Sequence, residues 1–310
     1  MQAPDVLVVV LDTVRADRLA TYGHSRDNSY QLSAIAEAGV LFEDVTAPSS
    51  WTWPSHASLF TGHPPWVHGA HRSLSEEEGI QLPGVPRFLP MREDLATLAE
   101  KFSAAGYQTA AVSSNLFLEP SLGLTRGFGS VENHAEDPQT LQAALAQLAT
   151  PSDKPLFLLV NLMSAHAPYR VLESAPFSEQ HRPHLQAGGA ASRLALERGG
   201  HTTAFIHNSA GDLPIDVMLA SGQTTLTQAE LQAISDLYDG ELIRLDHALK
   251  TLVHAWNERG GNGVLAVTSD HGESLGERNL LGHGTTLWPE MLRIPLVIAA
   301  PGRLPAGQRI

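Results

Sequence analysis

The sequence contains no cysteine among its 310 residues, and this absence excludes several kinds of chemistry. Disulfide bonds, zinc–thiolate sites, iron–sulfur clusters and cysteine nucleophiles are impossible. Positive charge is also scarce, because 20 Lys and Arg stand against 33 Asp and Glu and give a net charge of −13. We therefore expect neither nucleic acid nor an anionic membrane surface as the main partner. An anionic substrate is compatible with this charge, since a bound metal ion inverts the local field.

Long apolar runs are absent as well. The run at Val6–Leu11 is far too short to span a bilayer. No basic region precedes it and Asp12 ends it, so we predict no signal peptide and no membrane segment, and a cytoplasmic protein if Met1 is the natural start. Hydrophobic residues make up 43% and charged residues 17%, which excludes a coiled coil and a largely disordered chain. We expect one large catalytic domain over residues 1–310.

Apolar runs alternate with helical patterns along the chain. The predicted strands are 6–11, 40–45, 108–113, 156–162, 263–268 and 294–299, and the predicted helices are 33–38, a helix beginning at Pro54, 94–105, 141–148 and 228–256 with a break at Gly240. Continuous apolar strands predict an α/β fold with a mainly parallel sheet and helices on both faces. Residues 177–225 lack any period, and we interpret them as an insertion or lid, with a variable surface excursion as the alternative.

Polar residues follow three of the predicted strands, and the strand at 156–162 leads to Ser164 and His166. Asp12 comes directly after the first strand, and Asp270 with His271 follows the strand at 263–268. Because ligand sites in such sheets lie outside the carboxyl ends of the strands, we expect these side chains to meet at one edge. Each alone is more typical of a helix cap, but two carboxylates and an imidazole together predict a divalent-metal site. The 15 histidines of this cysteine-free chain add weight to that prediction.

The segment from Ser50 to Gly62 supplies a hydroxyl group, Thr52, just before the helix predicted to begin at Pro54. A helix N-terminus offers free N–H groups and positive dipole, which suit an oxyanion beside a nucleophile. An ordinary capped helix is the alternative interpretation.

This segment resembles the signature of the sulfatase family, within the alkaline phosphatase superfamily. That signature has Cys or Ser, any residue, Pro, Ser, Arg and a run ending in Leu-x-Thr-Gly, and the matching residues are Pro54, Ser55, Leu59, Thr61 and Gly62. Further resemblances lie at 11–19, 38–42, 238–241, 268–273, 282–284 and 293–298. The family's fold is a three-layer sandwich. Its members usually continue into a small C-terminal subdomain, so we expect this sequence to be either a fragment or a protein without that subdomain.

The departures from the sulfatase pattern all point toward phosphate chemistry. The register puts Thr52 at the nucleophile position, and oxidation of Thr would give a ketone instead of the formylglycine aldehyde. His56 replaces the signature Arg, and Asp270-His271 replaces an Asp-Asn metal pair. A Thr nucleophile with Asp, Asp and His ligands resembles nucleotide pyrophosphatase/phosphodiesterases and phosphoethanolamine transferases.

The resemblance also implies roles for individual residues. Thr52 would be the nucleophile, and the metal ligands would be Asp12, Thr52, Asp270 and His271. His166 and His283 would hold substrate oxygens, and Arg15 and His56 are candidates for substrate binding. We expect one divalent ion, zinc or manganese before calcium, because imidazole favours the transition metals. A second metal is not expected, since Asp246 and His247 are candidates by position only.

We therefore predict a metal-dependent hydrolase that cleaves phosphate or sulfate esters through Thr52, with a phosphodiester or phosphonate monoester favoured. The alternatives are a sulfuric ester hydrolase of the arylsulfatase type and a transferase that moves a phospho-substituent to an acceptor alcohol. A non-catalytic binding module would predict a broken ligand set, whereas all four ligand positions are filled. The expected partner is a small anionic ester, and the sequence carries no signal for an oligomeric state.

Overall fold

The computed structural model describes residues 3–82, 85–181, 220, 222 and 225–310. The strands are β1 Val6–Leu11, β2 Val40–Thr46, β3 Gln108–Ser113, β4 Ser130–Asn133, β5 Leu156–Leu162, β6 Val264–Thr268, β7 Ser274–Leu275, β8 Leu281–Gly282, β9 Arg293–Ala299 and β10 Gln308–Arg309. The helices are α1 Tyr30–Glu37, α2 Thr52–Thr61, α3 Pro65–His68, α4 Leu98–Ala104, α5 Asp137–Ala149, α6 Pro176–Glu179, α7 Gln228–Glu258 and α8 Pro289–Leu292.

One mixed sheet of eight strands organises the molecule, in the order β10-β2-β9-β6-β1-β5-β3-β4. β1 pairs in parallel with both β5 and β6, and β3 pairs in parallel with β4 and β5. β9 runs antiparallel to its two neighbours, β2 and β6. The predicted mainly parallel sheet is thus confirmed, and β1, β5 and β6 end at the same edge.

Helices cover the sheet on both faces. Along β1, Leu7 and Val9 join one hydrophobic core with α1, α5 and α7, and Val10 joins a second core with Trp53 and Phe60 of α2. This division follows from the alternation of side chains along a strand. Burial of such a side chain stabilises the fold by roughly 1.5–3 kcal/mol. The predicted three-layer α/β fold is therefore confirmed.

The start of α2 differs from the prediction. The helix begins at Thr52, with the extended residue Trp51 as its N-cap, so the predicted start at Pro54 is wrong. A proline is tolerated in a first turn because N–H groups there have no partner within the helix. The first N–H that bonds back is that of Ser55, 3.4 Å from the Trp51 carbonyl oxygen. The open N–H groups therefore belong to Thr52 and Trp53.

The long helix α7 runs unbroken through 31 residues, so the predicted break at Gly240 is wrong. A β-carbon at Gly240 would lie 3.0 Å from Ser178 Oγ, which shows that the glycine admits a neighbouring segment instead of interrupting the helix. Within the parts of the chain that the structure describes, neither α7 nor any other helix combines the length and apolar character needed to cross a membrane.

The segment interpreted as an insertion or lid, residues 177–225, lies mostly outside the described residues. Its described beginning is attached to α7, because His181 Nε2 lies 2.7 Å from Asp236 Oδ2. The insertion itself stays a prediction.

Candidate active site

Three predicted metal ligands converge where β1 and β6 end. Asp12 follows β1, and Asp270 and His271 follow β6, the strand paired directly with β1. One ligand atom from each of the three side chains lies within 4.8 Å of the others. All three residues are buried, with exposed fractions of 0% to 4%. The parallel pairing of two strands thus assembles residues that are distant in sequence.

The two carboxylates of this cluster are only half satisfied. Asp12 Oδ2 accepts from Asn115 Nδ2 at 2.7 Å, and Asp270 Oδ1 accepts from the His271 N–H at 2.9 Å. Asp12 Oδ1 and Asp270 Oδ2 are buried without a hydrogen-bond partner, which is costly for a carboxylate. Burial and the charge of Asp270 raise the pKa of Asp12. This donor set fits a divalent cation, whose charge would compensate both oxygens.

His271 presents its second nitrogen to the same space. Its Nδ1 lies 2.9 Å from the Gly272 carbonyl oxygen, which leaves Nε2 3.3 Å from Asp270 Oδ2. Burial, followed by the charge of His283, lowers the pKa of His271 to about 3. The neutral ring therefore offers a lone pair on Nε2, as a metal ligand requires. An imidazole in the ligand set suits zinc or manganese better than calcium.

Thr52 brings a hydroxyl group into this cluster from the N-terminus of α2. Its Oγ1 lies 3.3 Å from His271 Nε2 and accepts from Asn115 Nδ2 at 3.4 Å. Asn115 is a site residue that the sequence analysis missed. It follows β3, so the rule about strand carboxyl ends applied to it as well. Its Oδ1 accepts from the Phe117 N–H at 2.9 Å, which turns Nδ2 toward Asp12 and Thr52.

His166 and His283 form an imidazole pair beside the ligand cluster. Their ring centroids are 4.9 Å apart, and the His283 ring lies 4.4 Å from that of His271. His283 Nδ1 lies 2.9 Å from Oε1 of the buried Glu273, and His166 Nδ1 lies 2.7 Å from the Ala167 carbonyl oxygen. Burial opposes protonation, but the charge and hydrogen bond of Glu273 raise the pKa of His283. Both contacts use Nδ1, and the hold of either ring on substrate oxygens stays a prediction.

The sulfatase family model matches residues 4–310 of this chain. The chain belongs to the sulfatase family. Members of this family are hydrolases that act on sulfate or phosphate esters.

Individual relatives of this sulfatase-family chain are distant. A Delta 4,5-hexuronate-2-O-sulfatase from Bacteroides thetaiotaomicron is 20% identical over 97% of the chain, which spans only 63% of that relative's length. The phosphonate monoester hydrolase of Agrobacterium radiobacter superposes with a TM-score of 0.70 at 21% identity, over 99% of this chain and 70% of that one. The C-terminal periplasmic domain of EcEptC from Escherichia coli, solved with Zn, gives 0.64 at 17% identity, over 98% and 74%. At these identities the structural likenesses show a shared fold.

Arg15 lies beside the site, but most of its donors are engaged. Its Nε and Nη2 donate to Asp17 at 2.9 and 2.8 Å, and Nη1 donates to Glu277 Oε1 at 2.6 Å and to the Glu273 carbonyl oxygen at 3.0 Å. The residue is 5% exposed. This arrangement ties the loop after β1 to the loop after β6 and favours a structural role. Substrate binding by Arg15 stays a prediction.

His56 occupies the position of the signature Arg on α2. The ring is fully buried, and its Nδ1 lies 3.2 Å from the Thr52 carbonyl oxygen and 3.5 Å from Asp270 Oδ2. Its Nε2 has no hydrogen-bond partner. His56 thus contacts two site residues, and a direct role toward substrate stays a prediction.

Asp246, the positional candidate for a second metal, has a structural partner. Its Oδ2 accepts from the Gln31 N–H at 2.8 Å and its Oδ1 from the Leu32 N–H at 3.0 Å. Asp246 of α7 therefore caps the N-terminus of α1, where a carboxylate is favourable.

Proposed function

We propose that this sulfatase-family chain is a metal-dependent hydrolase that cleaves phosphate esters through Thr52, with phosphodiesters or phosphonate monoesters preferred over sulfate esters. One observation carries the proposal. The Thr52 hydroxyl lies 3.3 Å from His271 Nε2, in a cluster whose Asp12 and Asp270 each hold a buried oxygen without a partner.

A divalent cation bound by Asp12, Asp270 and His271 would lower the pKa of a bound hydroxyl and offset charge on substrate oxygens. Backbone groups of the protein would also stabilise negative charge on the substrate oxygens. The open N–H groups of Thr52 and Trp53 lie at the positive end of α2. Donors that are already in place when negative charge develops stabilise a transition state without reorganisation.

The proposed reaction proceeds in two displacements. Thr52 Oγ1 releases its proton to solvent and bonds to phosphorus while the bond from phosphorus to the leaving oxygen breaks, and that oxygen takes a proton from solvent and departs as the alcohol. His166 and His283 hold the non-bridging oxygens through Nε2, and Glu273 fixes the orientation of the His283 ring. Water then attacks phosphorus of this substituted phosphothreonine, the bond from phosphorus to Thr52 Oγ1 breaks, and the hydroxyl of Thr52 regains a proton as the phosphate monoester or phosphonate product leaves.

The choice of phosphate over sulfate rests on Thr52. Formylglycine, the aldehyde that the sulfatase signature supports, cannot form from a threonine. The replacement of the signature Arg by His56, which contacts Asp270 and the Thr52 backbone, also removes a group that would support an aldehyde hydrate.

A matched ester panel tests this proposal. Metal-stripped protein is refilled with zinc, manganese or calcium and given bis(4-nitrophenyl) phosphate, 4-nitrophenyl phenylphosphonate, 4-nitrophenyl phosphate and 4-nitrophenyl sulfate. We expect the diester or phosphonate to be cleaved fastest with zinc or manganese. Thr52→Ala should lower kcat by about 10³-fold, and Thr52→Ser, which keeps a hydroxyl, should retain most of the wild-type activity. Mass spectrometry of quenched reactions should find on Thr52 a phosphoryl group that still carries the substituent that was not displaced.

Three results would contradict the proposal. Full activity of Thr52→Ala would exclude Thr52 as nucleophile. Dominant sulfate turnover that needs Thr52 would reverse the substrate preference. Product formation only in the presence of an added alcohol, with the phospho-substituent transferred to it, would identify a transferase.

A further inference from the structure

Several apolar side chains are exposed on the segments that carry the site. Leu116 is 53% exposed and directly follows Asn115, and Leu287 and Trp288, 70% and 46% exposed, follow His283 along the chain. Trp51 is half-buried and directly precedes Thr52. An exposed apolar patch beside polar groups is typical of a binding surface.

Contacts through Trp51 join these segments. The Trp51 ring lies edge-on to Phe117, with centroids 5.9 Å apart. A β-carbon at Gly284 would lie 3.5 Å from Trp51 Cβ, so the segment leading to Leu287 also packs against Trp51. We name this set the apolar collar, and its members are Trp51, Leu116, Phe117, Leu287 and Trp288. The segments 116–118 and 284–288 carry no charged side chain.

The direction of attack decides which part of a substrate meets the collar. In phosphoryl transfer the attacking and leaving oxygens are roughly in line, so the leaving group lies opposite Thr52 Oγ1. The substituents that stay on phosphorus lie to the sides of this line, closer to Thr52 than the leaving group is, and Trp51 and Leu116 directly adjoin Thr52 and Asn115 in the chain. A phosphodiester or phosphonate monoester has a carbon-bearing substituent at that position, and a sulfate monoester has none.

We propose that the apolar collar binds an uncharged aromatic substituent that stays on phosphorus during the reaction. This inference rests on the proposed function and names its preferred substrates as aryl phosphodiesters or aryl phosphonates. An anionic sugar as the retained substituent would need a free cationic side chain nearby. Arg15 does not supply one, because it is paired with Asp17 and Glu277. Arg278, whose guanidinium carbon lies 4.2 Å from the centre of the Trp288 ring, is paired with Glu290.

The test keeps the leaving group constant and varies the other substituent. The metal-loaded enzyme is given methyl, phenyl and glucosyl 4-nitrophenyl phosphate. We expect kcat/KM for the phenyl ester to exceed that for the methyl ester about tenfold, because the ring buries apolar surface. Leu116→Ser and Trp288→Ala should each reduce this ratio severalfold. Trp66→Ala is the matched control, since Trp66 is 83% exposed on α3 outside the collar, and it should leave the ratio unchanged.

The outcomes separate this inference from the proposed function. Cleavage of methyl and phenyl esters at equal rates, or a ratio that the collar variants do not change, would overturn the collar while the hydrolase proposal stands. A preference for the glucosyl ester would replace the aromatic ligand with a sugar. If neither a diester nor a phosphonate monoester is cleaved, the hydrolase proposal fails, and calorimetry with phenylphosphonate and methylphosphonate then decides the collar. Severalfold tighter binding of phenylphosphonate, lost in Leu116→Ser, supports it, and equal binding refutes it.

Discussion

Two pairs of buried aspartates in the described part of the chain have opposite surroundings. On α7, Asp236 and Asp239 are 1% and 0% exposed. Asp239 binds Arg18 at 2.7 Å and Arg26 at 2.8 Å. Asp236 also binds Arg26, and its Oδ2 lies 2.7 Å from His181 Nε2. Every carboxylate oxygen of this pair therefore has a partner from the protein, and two of those partners are permanent cations.

The pair at the strand ends has no such cation of its own. Asp12 and Asp270 are as deeply buried, yet the partners of Asp12 are the neutral amides of Asn115 and Asn161. One oxygen on each aspartate has no hydrogen-bond partner. Isolated buried charge is too costly to keep without compensation. The charge of the α7 pair is therefore compensated within the protein, whereas the strand-end pair is the one whose charge a bound cation would compensate under the proposed function.

Removal of one charge from the strand-end pair should have the largest effect. Asp270→Asn is expected to lower kcat/KM by about 10³-fold or more, since it removes a ligand and the negative charge that attracts the cation. Zinc at 100 times its dissociation constant should stabilise the wild-type protein by about 3 kcal/mol. The variant should show almost none of that gain. Activity assays and thermal unfolding with and without zinc measure both effects.

Asp246→Asn is the matched control for this comparison. Asp246 also accepts two hydrogen bonds, but both come from the start of α1. Its substitution should cost stability and leave the gain on zinc addition intact. An equal gain from zinc in Asp270→Asn and wild type would remove the distinction between the two aspartate pairs.

The contribution of the α7 pair to the free energy of unfolding should depend on pH and should not depend on metal. Burial opposes ionisation, but the hydrogen bonds from His181 and Arg26 hold the pKa of Asp236 below its ordinary value. The pKa of Asp236 in the unfolded chain is about 4, and in the folded protein it is lower. The free energy that ionised Asp236 contributes to folding is therefore complete above about pH 5 and is lost as the pH falls through the folded pKa. Asp236→Asn should therefore cost about 2 kcal/mol at pH 7, since it removes the charge from the hydrogen bonds with Arg26 and His181.

Urea unfolding of wild type and Asp236→Asn across pH 3.5 to 7 checks this expectation. The difference in unfolding free energy should shrink toward acid pH and be the same with and without zinc. A difference that grows toward acid, or that zinc abolishes, would show that Asp236 belongs functionally with Asp12 and Asp270.

The sheet and the ligand cluster could both be predicted from the sequence, and the physical reason is the same for both. Continuous apolar runs mark strands that are covered on both faces, and the strands then order their carboxyl ends along one edge. Asp12, Asp270 and His271 are polar residues that interrupt such runs at their ends. Their meeting therefore follows from local pattern plus one rule of topology.

Other features depend on contacts that no local pattern contains. The start of α2 was misplaced by two residues because a proline is compatible with more than one position in a first turn. The sequence alone predicts a helix break at Gly240, because the packing of Ser178 against this glycine is visible only in the structure. Asn115 reads as an ordinary turn residue, because the side chains it reaches, Thr52 and Asp12, are 63 and 103 residues away along the chain.

Asn115 also gives the smallest of the expected effects. It supplies no charge and binds Asp12 and Thr52 through one amide, so Asn115→Ala should loosen the ligand and the nucleophile together. Loss of a residue that orients a metal ligand typically costs 10- to 100-fold, and we expect a decrease in kcat of about tenfold. KM should change less than kcat, because the residue positions reacting groups and does not hold substrate.

Asn133→Ala is the matched control, since the Asn133 amide donates to the Asn115 carbonyl oxygen at 2.7 Å and does not reach the ligands. It should leave kcat nearly unchanged. Asn115→Asp sharpens the comparison of the aspartate pairs, because it places a third carboxylate 2.7 Å from Asp12. That variant should unfold more readily than Asn115→Ala without zinc and recover more stability when zinc is added. If Asn115→Asp is instead stable without any metal, the strand-end pair tolerates added negative charge, and its need for an external cation is disproved.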